Sequence, residues 1–575
     1  MASPLVSPRA REAIGLAAVT ILAAALRLPN LATRGRFEFD QAGDLLILRA
    51  FVHDGVVPLL GPKASVGDFH HGALTFYLLA PAAWLSGTDP IAVTFEMALI
   101  GVAAVLATWW LGRVMGGPLV GLVAALLLAL SPAAIDESSF IWNPNPIPLF
   151  AALSAGAAWR GHQDGAARWW VLALGCAGAV AQLHVLGLLF VIPILALLLL
   201  DLRRAGSGAA RRRVMRGLAG GLGVIVLLYV PLIVHELTSG FGETQAVLRY
   251  LAAPGAPTLG LLARVLVNLL RVLGWPLVGL VTDVPVLASL AVAVTIGLLV
   301  TGAILRRRGL AASRWILAAL AWTVVGLAIA APTLGNVVPG LPNDHYHAFA
   351  DPLVVVGLAL GGAALVQRAW QGLQVRLPTT EPGGTWAGSV AIVPIVAVVL
   401  LAAAVIVEVG REPGPDPNGG YAAAEAAGTR VLATVGDGPV VVAQLPGFEP
   451  ADALALPLVQ DGTSIELRPA PAEGLGFDPA AALEAGPAML DALGRSSSSA
   501  VRGELAPNAP TPAARYLVLG CDRLFVSVLG AACGGPAEDA ALPELVRGGA
   551  SSASLRDRFD LGARWSISVY QLAGP

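Results

Sequence analysis

The sequence predicts a polytopic α-helical membrane protein with a soluble α/β domain at its C-terminal end. Of 575 residues, 56% are hydrophobic and only 13% are charged, and the mean hydropathy is +0.73. Ordinary soluble domains carry about 25% charged residues, so this composition excludes the soluble globular class. Apolar stretches of about 17 to 25 residues, the length that crosses a bilayer, recur along the first two thirds of the chain.

Eleven such stretches predict about eleven transmembrane helices, several of them short. They lie at 12–28, 90–111, 117–134, 146–160, 168–183, 185–201, 216–235, 285–305, 315–333, 351–367 and 388–408. Arginines collect in alternate loops, most densely at 211–213 and 306–308. Because basic loops stay in the cytoplasm, this pattern predicts a cytoplasmic N-terminus and places everything after about residue 409 outside.

A further apolar segment, 259–281, is predicted to be an interfacial helix on the outer side. Arg264, Asn268 and Arg271 follow one another at spacings of four and three, which puts them on one helical face. A polar stripe of this kind is typical of a helix that lies in the membrane interface. Counting the segment as a span would also invert every later arginine cluster. Two long outer loops result, 29–89 and 236–284.

The chain is predicted to divide into a transmembrane domain, 1–408, and an extracytoplasmic domain, 409–575. From residue 411 onward Asp and Glu number 19 against 11 Arg, whereas the whole chain has a net charge of −2. Ala-rich stretches predict helices near 420–428, 479–494 and 536–547, and β-branched runs predict strands at 430–435, 439–443, 516–519, 524–528 and 565–570. Cys521 and Cys533 are either a disulfide or two small buried residues.

Polar residues concentrate in the loops that this topology assigns to the outer face, where ionisable groups are functional candidates. The first loop begins with residues 37–44, FEFDQAGD, three carboxylates beside the membrane. The candidate catalytic residues are Asp40 and Asp44. The candidate substrate-binding residues are Glu38, His70, His71, Asn143, Asn145, His184, Arg249, His345, Tyr346 and His347.

These residue types favour a transfer reaction at the outer surface. A carboxylate can act as general base toward an acceptor hydroxyl, and Arg, His and Tyr side chains can hold a phosphate leaving group. Asp40 and Asp44 share one face if helix begins at or before residue 40; alternatively, Asp40 is the N-cap of a helix that starts at Gln41. The histidine pairs lack the ligand spacing of a closed zinc site, so we predict no metal and no other cofactor.

These motifs resemble the membrane-embedded glycosyltransferases of the GT-C superfamily, in the branch of protein O-mannosyltransferases and aminoarabinose transferases. The resemblance runs over residues 10 to 370. It rests on Asp40-Gln41 after the first span, LGPKASVG at 60–67, HGALTFYLLAP at 71–81, WNPNP at 142–146 and Gln182-Leu-His184. It departs from the family at Gln41, where an acidic residue is expected, and at Asn143 and Asn145, where many members have Asp.

The resemblance implies an inverting glycosyltransferase of the cell membrane. Asp40 would activate the acceptor, and the loop from His345 to His347 would help hold the lipid phosphate. The implied partners are a polyprenyl-phosphate sugar donor, a cell-envelope glycan, lipid or protein acceptor, and membrane lipids, with no role for nucleic acid. Two alternatives stay open, a transporter or flippase of lipid-linked glycans and a non-catalytic envelope assembly protein. Paired broken helices, which many transporters contain, are not evident in the sequence.

Overall fold

The structure is a computed structural model of the chain. It describes residues 7–64, 69–206, 208–252, 259–279, 285–305, 311–332, 345–374, 416, 418–445, 451–468, 514–523, 526, 532–546, 552–562 and 564–573.

The chain begins with a helix that leads into a mixed helix and hairpin segment. The elements are α1 (Pro8–Arg27), α2 (Leu31–Arg34), α3 (Phe39–Asp54), β1 (Leu60–Lys63), β2 (His70–Gly72) and α4 (Leu74–Ser86). Strands β1 and β2 form an antiparallel pair, with Leu60 opposite Gly72. The buried faces of α3 and α4 pack together, Ala42 and Leu45 against Ala73 and Phe76. This packing brings α3 next to the residues that follow β2.

A bundle of twelve described helices follows, most of them long. They are α5 (Pro90–Gly116), α6 (Pro118–Ala129), α7 (Pro132–Asp136), α8 (Ile147–Asp164), α9 (Ala167–Leu183), α10 (Leu188–Arg204), α11 (Ala209–Thr238), α12 (Gly242–Ala252), α13 (Leu261–Val278), α14 (Pro285–Leu305), α15 (Ala312–Ala330) and α16 (Asp351–Gln374). Short 3₁₀ turns, Val185–Gly187 and His345–Ala350, precede α10 and α16. Gly112 and Gly121 let α5 and α6 approach closely, because a Cβ on Gly121 would lie 2.6 Å from the Trp109 carbonyl oxygen.

Within the described residues, seven helices are long and apolar enough to cross a membrane. They are α5, α11, α13, α14 and α15, together with α10 and α16 extended by their 3₁₀ turns. Each predicted span contains a helix except 388–408, which lies outside the described residues. The membrane class is therefore confirmed, whereas the count of about eleven spans stays a prediction.

The predicted interfacial helix is α13, and its polar face turns toward protein. Asn268 is only 1% exposed and Arg271 only 9% exposed. The helix packs against α14, α15 and α7, and its length and hydropathy also allow it to span a bilayer. Its position in the membrane interface stays a prediction.

Arg27 joins α1 to the end of α6. Its guanidinium is fully buried and donates to the carbonyl oxygens of Leu128 and Ala129, each at 3.0 Å. The last carbonyls of a helix lack intrahelical partners and carry partial negative charge. The Arg27 guanidinium therefore supplies hydrogen-bond donors to the last carbonyl oxygens of α6 and holds α1 against that helix.

The C-terminal part contains the predicted α/β domain. Its elements are α17 (Gly420–Val435), β3 (Val440–Leu445), α18 (Asp452–Gln460), β4 (Ile465–Leu467), β5 (Tyr516–Asp522), α19 (Pro536–Leu545), β6 (Ser552–Leu561) and β7 (Trp565–Ala573). The sheet order is β4-β3-β5-β7-β6, with β3 parallel to β4 and β5 and with β7 antiparallel to its neighbours. Cys521 and Cys533 form a disulfide.

The predicted strand at 430–435 is wrong, because these residues continue helix α17. Val431 and Val435 lie four residues apart on the buried side of that helix. The β-branched residues suggested a strand, but their spacing also suits a helix that packs on the sheet. The predicted strand at 524–528 lies largely outside the described residues, and the predicted helix at 479–494 lies wholly outside them.

Candidate active site

Helix α3 presents Asp40 in its first turn. The N-cap is Glu38, whose backbone is extended, and its N–H donates to the Gln41 side-chain oxygen at 3.0 Å. The alternative in which Asp40 is the N-cap is therefore wrong, since residue 40 lies inside the helix. A carboxylate in the first turn is favoured by the partial positive charge of the helix N-terminus. Asp40 is half-buried.

Asp44 lies one turn beyond Asp40 on the same helix. It is 6% exposed, and burial raises the pKa of its carboxyl well above the ordinary value, with the negative charge of Asp40 adding to the increase. A buried carboxyl group with a raised pKa beside a second carboxyl group is typical of sites that perform acid–base chemistry. Because α3 begins at Phe39, Asp40 and Asp44 lie on one face of the helix, as predicted for a helix that begins at or before residue 40. Their catalytic roles stay predictions.

Replacing Asp44 by Asn is expected to stabilise the protein. A raised pKa means that the charged carboxylate costs free energy in the folded state, and this cost grows as the pH rises from about 4 toward the raised pKa. We expect Asp44→Asn to increase the free energy of unfolding by roughly 1 kcal/mol or more at neutral pH and to have little effect near pH 4. Thermal unfolding in detergent at both pH values measures this. Asp54→Asn at the exposed end of α3 is the control, and equal shifts for both variants would contradict the prediction.

Glu38 contacts the soluble domain. Its Oε1 atom lies 2.6 Å from Nη1 of Arg564, the residue that precedes β7. The carboxylate is therefore engaged in an ion pair between the two parts of the chain. The structure gives Glu38 a contact that differs from the substrate contact predicted for it.

Four of the predicted residues meet in a cluster of rings. The His184 ring centroid lies 4.7 Å from that of His71, 5.3 Å from that of His345 and 5.7 Å from that of Tyr346. Trp142 closes the cluster, with its ring 4.1 Å from that of His345. The members come from β2, from the end of α9, from the loop between α7 and α8, and from the 3₁₀ turn before α16. Residues from four separate stretches of sequence thus form one group, which we call the ring cluster.

The buried rings of the ring cluster carry both hydrogen-bond donors and hydrogen-bond acceptors. The Leu186 N–H donates to His184 Nδ1 at 3.2 Å, so in the neutral ring Nε2 carries the proton and is a donor. Burial, followed by the proximity of His184 and His70, holds the pKa of His71 well below its usual value. His71 Nδ1 is buried without a hydrogen-bond partner among the described residues. Buried polar atoms normally have partners, and a bound polar ligand would supply one here.

Glu243 is a site residue that the sequence did not single out. At the start of α12, it accepts from the His70 backbone N–H at 2.6 Å and lies 3.0 Å from His70 Nδ1. Its Oε1 atom is also 4.0 Å from His235 Nε2. Although burial acts to raise it, the pKa of Glu243 is lowered by its bonds and charge interaction with His70. Residues 70 and 243 are 173 positions apart, and no local motif indicated that they meet.

The remaining predicted residues have varied surroundings. Asn143 donates to the Leu183 carbonyl at 2.6 Å and so lies beside the ring cluster, whereas Asn145 donates to the Phe140 carbonyl at 2.9 Å. The His347 ring centroid lies 6.5 Å from that of Trp275 on α13. Arg249 is exposed on α12. Within the described part of the chain, no group of three or more His, Cys, Asp or Glu side chains is arranged to hold a metal ion.

Comparison with known proteins bears on both the membrane domain and the whole fold. A sequence profile of the dolichyl-phosphate-mannose-protein mannosyltransferase family matches residues 13–234. ArnT from Cupriavidus metallidurans, solved bound to undecaprenyl phosphate, has a similar structure with a TM-score of 0.55 at 13% identity, covering 99% of this chain and 100% of that one. The chain has the GT-C fold of membrane glycosyltransferases. The predicted resemblance and the predicted enzyme class, a glycosyltransferase, are confirmed by the family match and the fold together.

A second GT-C structure shows the same fold in a larger protein. The arabinofuranosyltransferase AftD from mycobacteria has a TM-score of 0.51 at 15% identity, over 100% of this chain and 40% of that one. No curated protein matches the chain by sequence. The match to the mannosyltransferase family model includes Asp40, Asp44 and three members of the ring cluster, Trp142 among them, but ends before Arg249 and the turn at His345–Ala350.

Inside the matched segment, Gln41 stands where an acidic residue is expected from the family resemblance. Its side chain is 3% exposed and accepts the N–H of Glu38. Gln at this third helical position is common in capping boxes. Gln41 thus helps to define the start of α3, and Asp40 and Asp44 are the two carboxylates that lie one turn apart near that start.

Proposed function

We propose that the protein transfers a sugar from a polyprenyl-phosphate donor to a cell-envelope acceptor at the outer membrane face, with inversion and with Asp40 as general base. The observation that carries this proposal is the position of Asp40 in the first turn of α3, with the cap at Glu38 and with the buried Asp44 one turn away. The similarity to ArnT solved with undecaprenyl phosphate supports the donor class.

In the proposed reaction, the Asp40 carboxylate accepts the proton of the acceptor hydroxyl. The hydroxyl oxygen attacks the anomeric carbon of the donor sugar from the face opposite the phosphate. The new carbon–oxygen bond forms as the bond to the phosphate oxygen breaks, and both bonding electrons leave with the polyprenyl phosphate. A base within hydrogen-bond reach of the attacking oxygen contributes roughly 10²- to 10⁴-fold to such a step.

The ring cluster is proposed to hold the lipid phosphate. His184 offers an Nε2–H donor and Tyr346 a phenolic donor, and both rings lie against His345. Donors directed at a leaving phosphate stabilise the charge that develops on it. Burial favours the neutral form of the His71 ring, and the negative charge of the donor phosphodiester, which grows as the phosphate leaves, would favour its protonated form.

The domain boundaries and the topology belong to the same proposal. The transmembrane domain spans 1–408 and the soluble domain 409–575, with the N-terminus in the cytoplasm and the soluble domain outside. The disulfide between Cys521 and Cys533 supports this assignment, because structural disulfides persist in oxidising compartments. The glycan, lipid or protein acceptor would then approach from the same side as α3.

Reconstitution tests the proposed function. Proteoliposomes that carry a labelled polyprenyl-phosphate sugar should form labelled product from a pool of envelope acceptors, and product should appear only when acceptor is on the side of the soluble domain. Movement of the labelled lipid between leaflets without product would favour the alternative, a transporter or flippase. Product formed from acceptor on the opposite side would overturn the proposed topology.

A further inference from the structure

We infer that Arg564 of the soluble domain is a positioning residue for the catalytic helix, and that docking of this domain orders the first turn of α3. The inference rests on the proposed role of Asp40 as general base. Arg564 acts through Glu38, with which its guanidinium forms an ion pair.

The guanidinium of Arg564 bridges two carboxylates from different parts of the chain. Nη1 lies 2.6 Å from Glu38 Oε1, and Nε lies 2.5 Å from Asp522 Oδ2. The planar guanidinium has donors directed along separate edges, so it can hold two carboxylates at once in a defined geometry. Glu38 on the membrane side and Asp522 on the soluble side are thereby linked by a single side chain.

The soluble end of this bridge is rigid. Asp522 is the last residue of β5 and pairs with Trp565, the first residue of β7. The backbone of Arg564 is held as well, since its carbonyl accepts from the Arg523 N–H at 2.8 Å. The Asp522 side chain is fully buried. Arg564 therefore projects from the end of the central sheet with little freedom to move away from Glu38.

The membrane end of the bridge is the start of the catalytic helix. Glu38 is the N-cap of α3, two residues before Asp40. The first turn of a helix has backbone N–H groups without intrahelical partners and depends on capping for its order. The orientation of Glu38 therefore affects the orientation of the first helical turn, and the position of Asp40 depends on that turn.

Apolar and polar contacts beside the bridge hold the same surfaces together. Leu456 of α18 is completely buried in the cluster formed by α3 and α4. Phe37, just before the cap, packs edge-on against Tyr421 of α17 with 5.1 Å between ring centroids. Gln460 donates to the Thr88 carbonyl at 3.1 Å. These contacts hold the soluble domain against the segment that carries Asp40, and Arg564 supplies the contact at the N-cap of α3.

The test compares Glu38→Gln, Arg564→Lys and Arg564→Ala in the full-length protein reconstituted with a polyprenyl-phosphate sugar donor. Glu38→Gln removes the ion pair between domains but leaves Arg564 with Asp522. We expect kcat to fall roughly tenfold in Glu38→Gln and Arg564→Ala, since misplacement of a catalytic group by about 1 Å costs up to 10²-fold. Arg564→Lys should recover part of the loss, and the KM for the donor should change less than twofold.

Hydrogen exchange provides a readout independent of activity. Amides 39–44 should exchange faster in Glu38→Gln and Arg564→Ala than in the wild type. Arg430→Ala is the matched control, because Arg430 forms an exposed ion pair with Asp557 at 2.8 Å within the soluble domain. It should leave both kcat and the exchange of these amides unchanged.

The two proposals fail in different ways. Unchanged exchange at 39–44 in Glu38→Gln and Arg564→Ala would overturn the positioning role, and so would faster exchange with wild-type kcat. Equal losses in Arg430→Ala would also overturn it, by showing a general effect of altering the soluble domain. Full transfer by Asp40→Asn would instead refute the general-base proposal, while the exchange data would still decide whether Arg564 orders α3.

Discussion

Replacing Asp40 by Asn is expected to reduce sugar transfer by roughly 10²- to 10⁴-fold, the usual contribution of a general base. Asn keeps nearly the same shape and its side-chain oxygen still suits the first turn of α3, but it cannot accept the proton of the acceptor hydroxyl. The loss should therefore appear in kcat, with the KM for the polyprenyl-phosphate donor little changed. Single-turnover measurements in proteoliposomes separate the chemical step from donor binding.

The control for Asp40 lies on the same helix. Asp54→Asn removes a carboxylate from the exposed last turn of α3 and should leave transfer at the wild-type rate. Asp40→Ala should be as inactive as Asp40→Asn, whereas Asp44→Asn should retain more activity than either. Wild-type transfer by both Asp40 variants would contradict the assignment of the base. A larger loss in Asp44→Asn than in Asp40→Asn would move the role of base to Asp44.

The sequence predicted the class of fold because the relevant signals are local. Composition and the length of apolar stretches identified the membrane domain, and the change of charge after residue 411 identified the soluble domain. The same local reasoning failed at 430–435, where Val431 and Val435 suit both a strand and the buried side of a helix. Strands β4 and β6 and helix α18 were also missed: β4 has only three residues, and the largely exposed β6 has small or charged residues at most positions, although Ala553, Leu555, Phe559 and Leu561 alternate with polar ones.

The candidate site was only partly predictable, for a physical reason. Asp40 and Asp44 could be paired because a helix brings positions four apart together. The contacts of Glu38 with Arg564 and of His70 with Glu243 join residues 526 and 173 positions apart. Such pairs depend on how domains and loops dock, which charge and periodicity do not encode. The partners of a predicted residue were therefore harder to foresee than the residue itself.

Replacing His345 by Ala is expected to lower kcat/KM for the polyprenyl-phosphate donor by about 10- to 100-fold. His345 contacts three other aromatic or imidazole rings, with centroids at 4.0 Å for Tyr346, 4.1 Å for Trp142 and 5.3 Å for His184. Its loss would remove a proposed phosphate contact. It would also weaken the packing that holds the rings of Tyr346, Trp142 and His184 in position. A hydrogen bond to a charged group contributes about 1.5–3 kcal/mol, and each 1.4 kcal/mol corresponds to a factor of ten.

The effect of His345 should differ in kind from that of Asp40. A group that holds the phosphate acts on both the bound donor and the leaving group, so KM should rise while kcat falls, whereas loss of the base should affect kcat alone. His53→Ala, at an exposed position near the end of α3, is the matched control and should leave both constants unchanged. Binding of polyprenyl phosphate without sugar supplies a second measurement. Wild-type affinity for this product in His345→Ala, together with an unchanged KM for the donor, would place the phosphate away from the ring cluster.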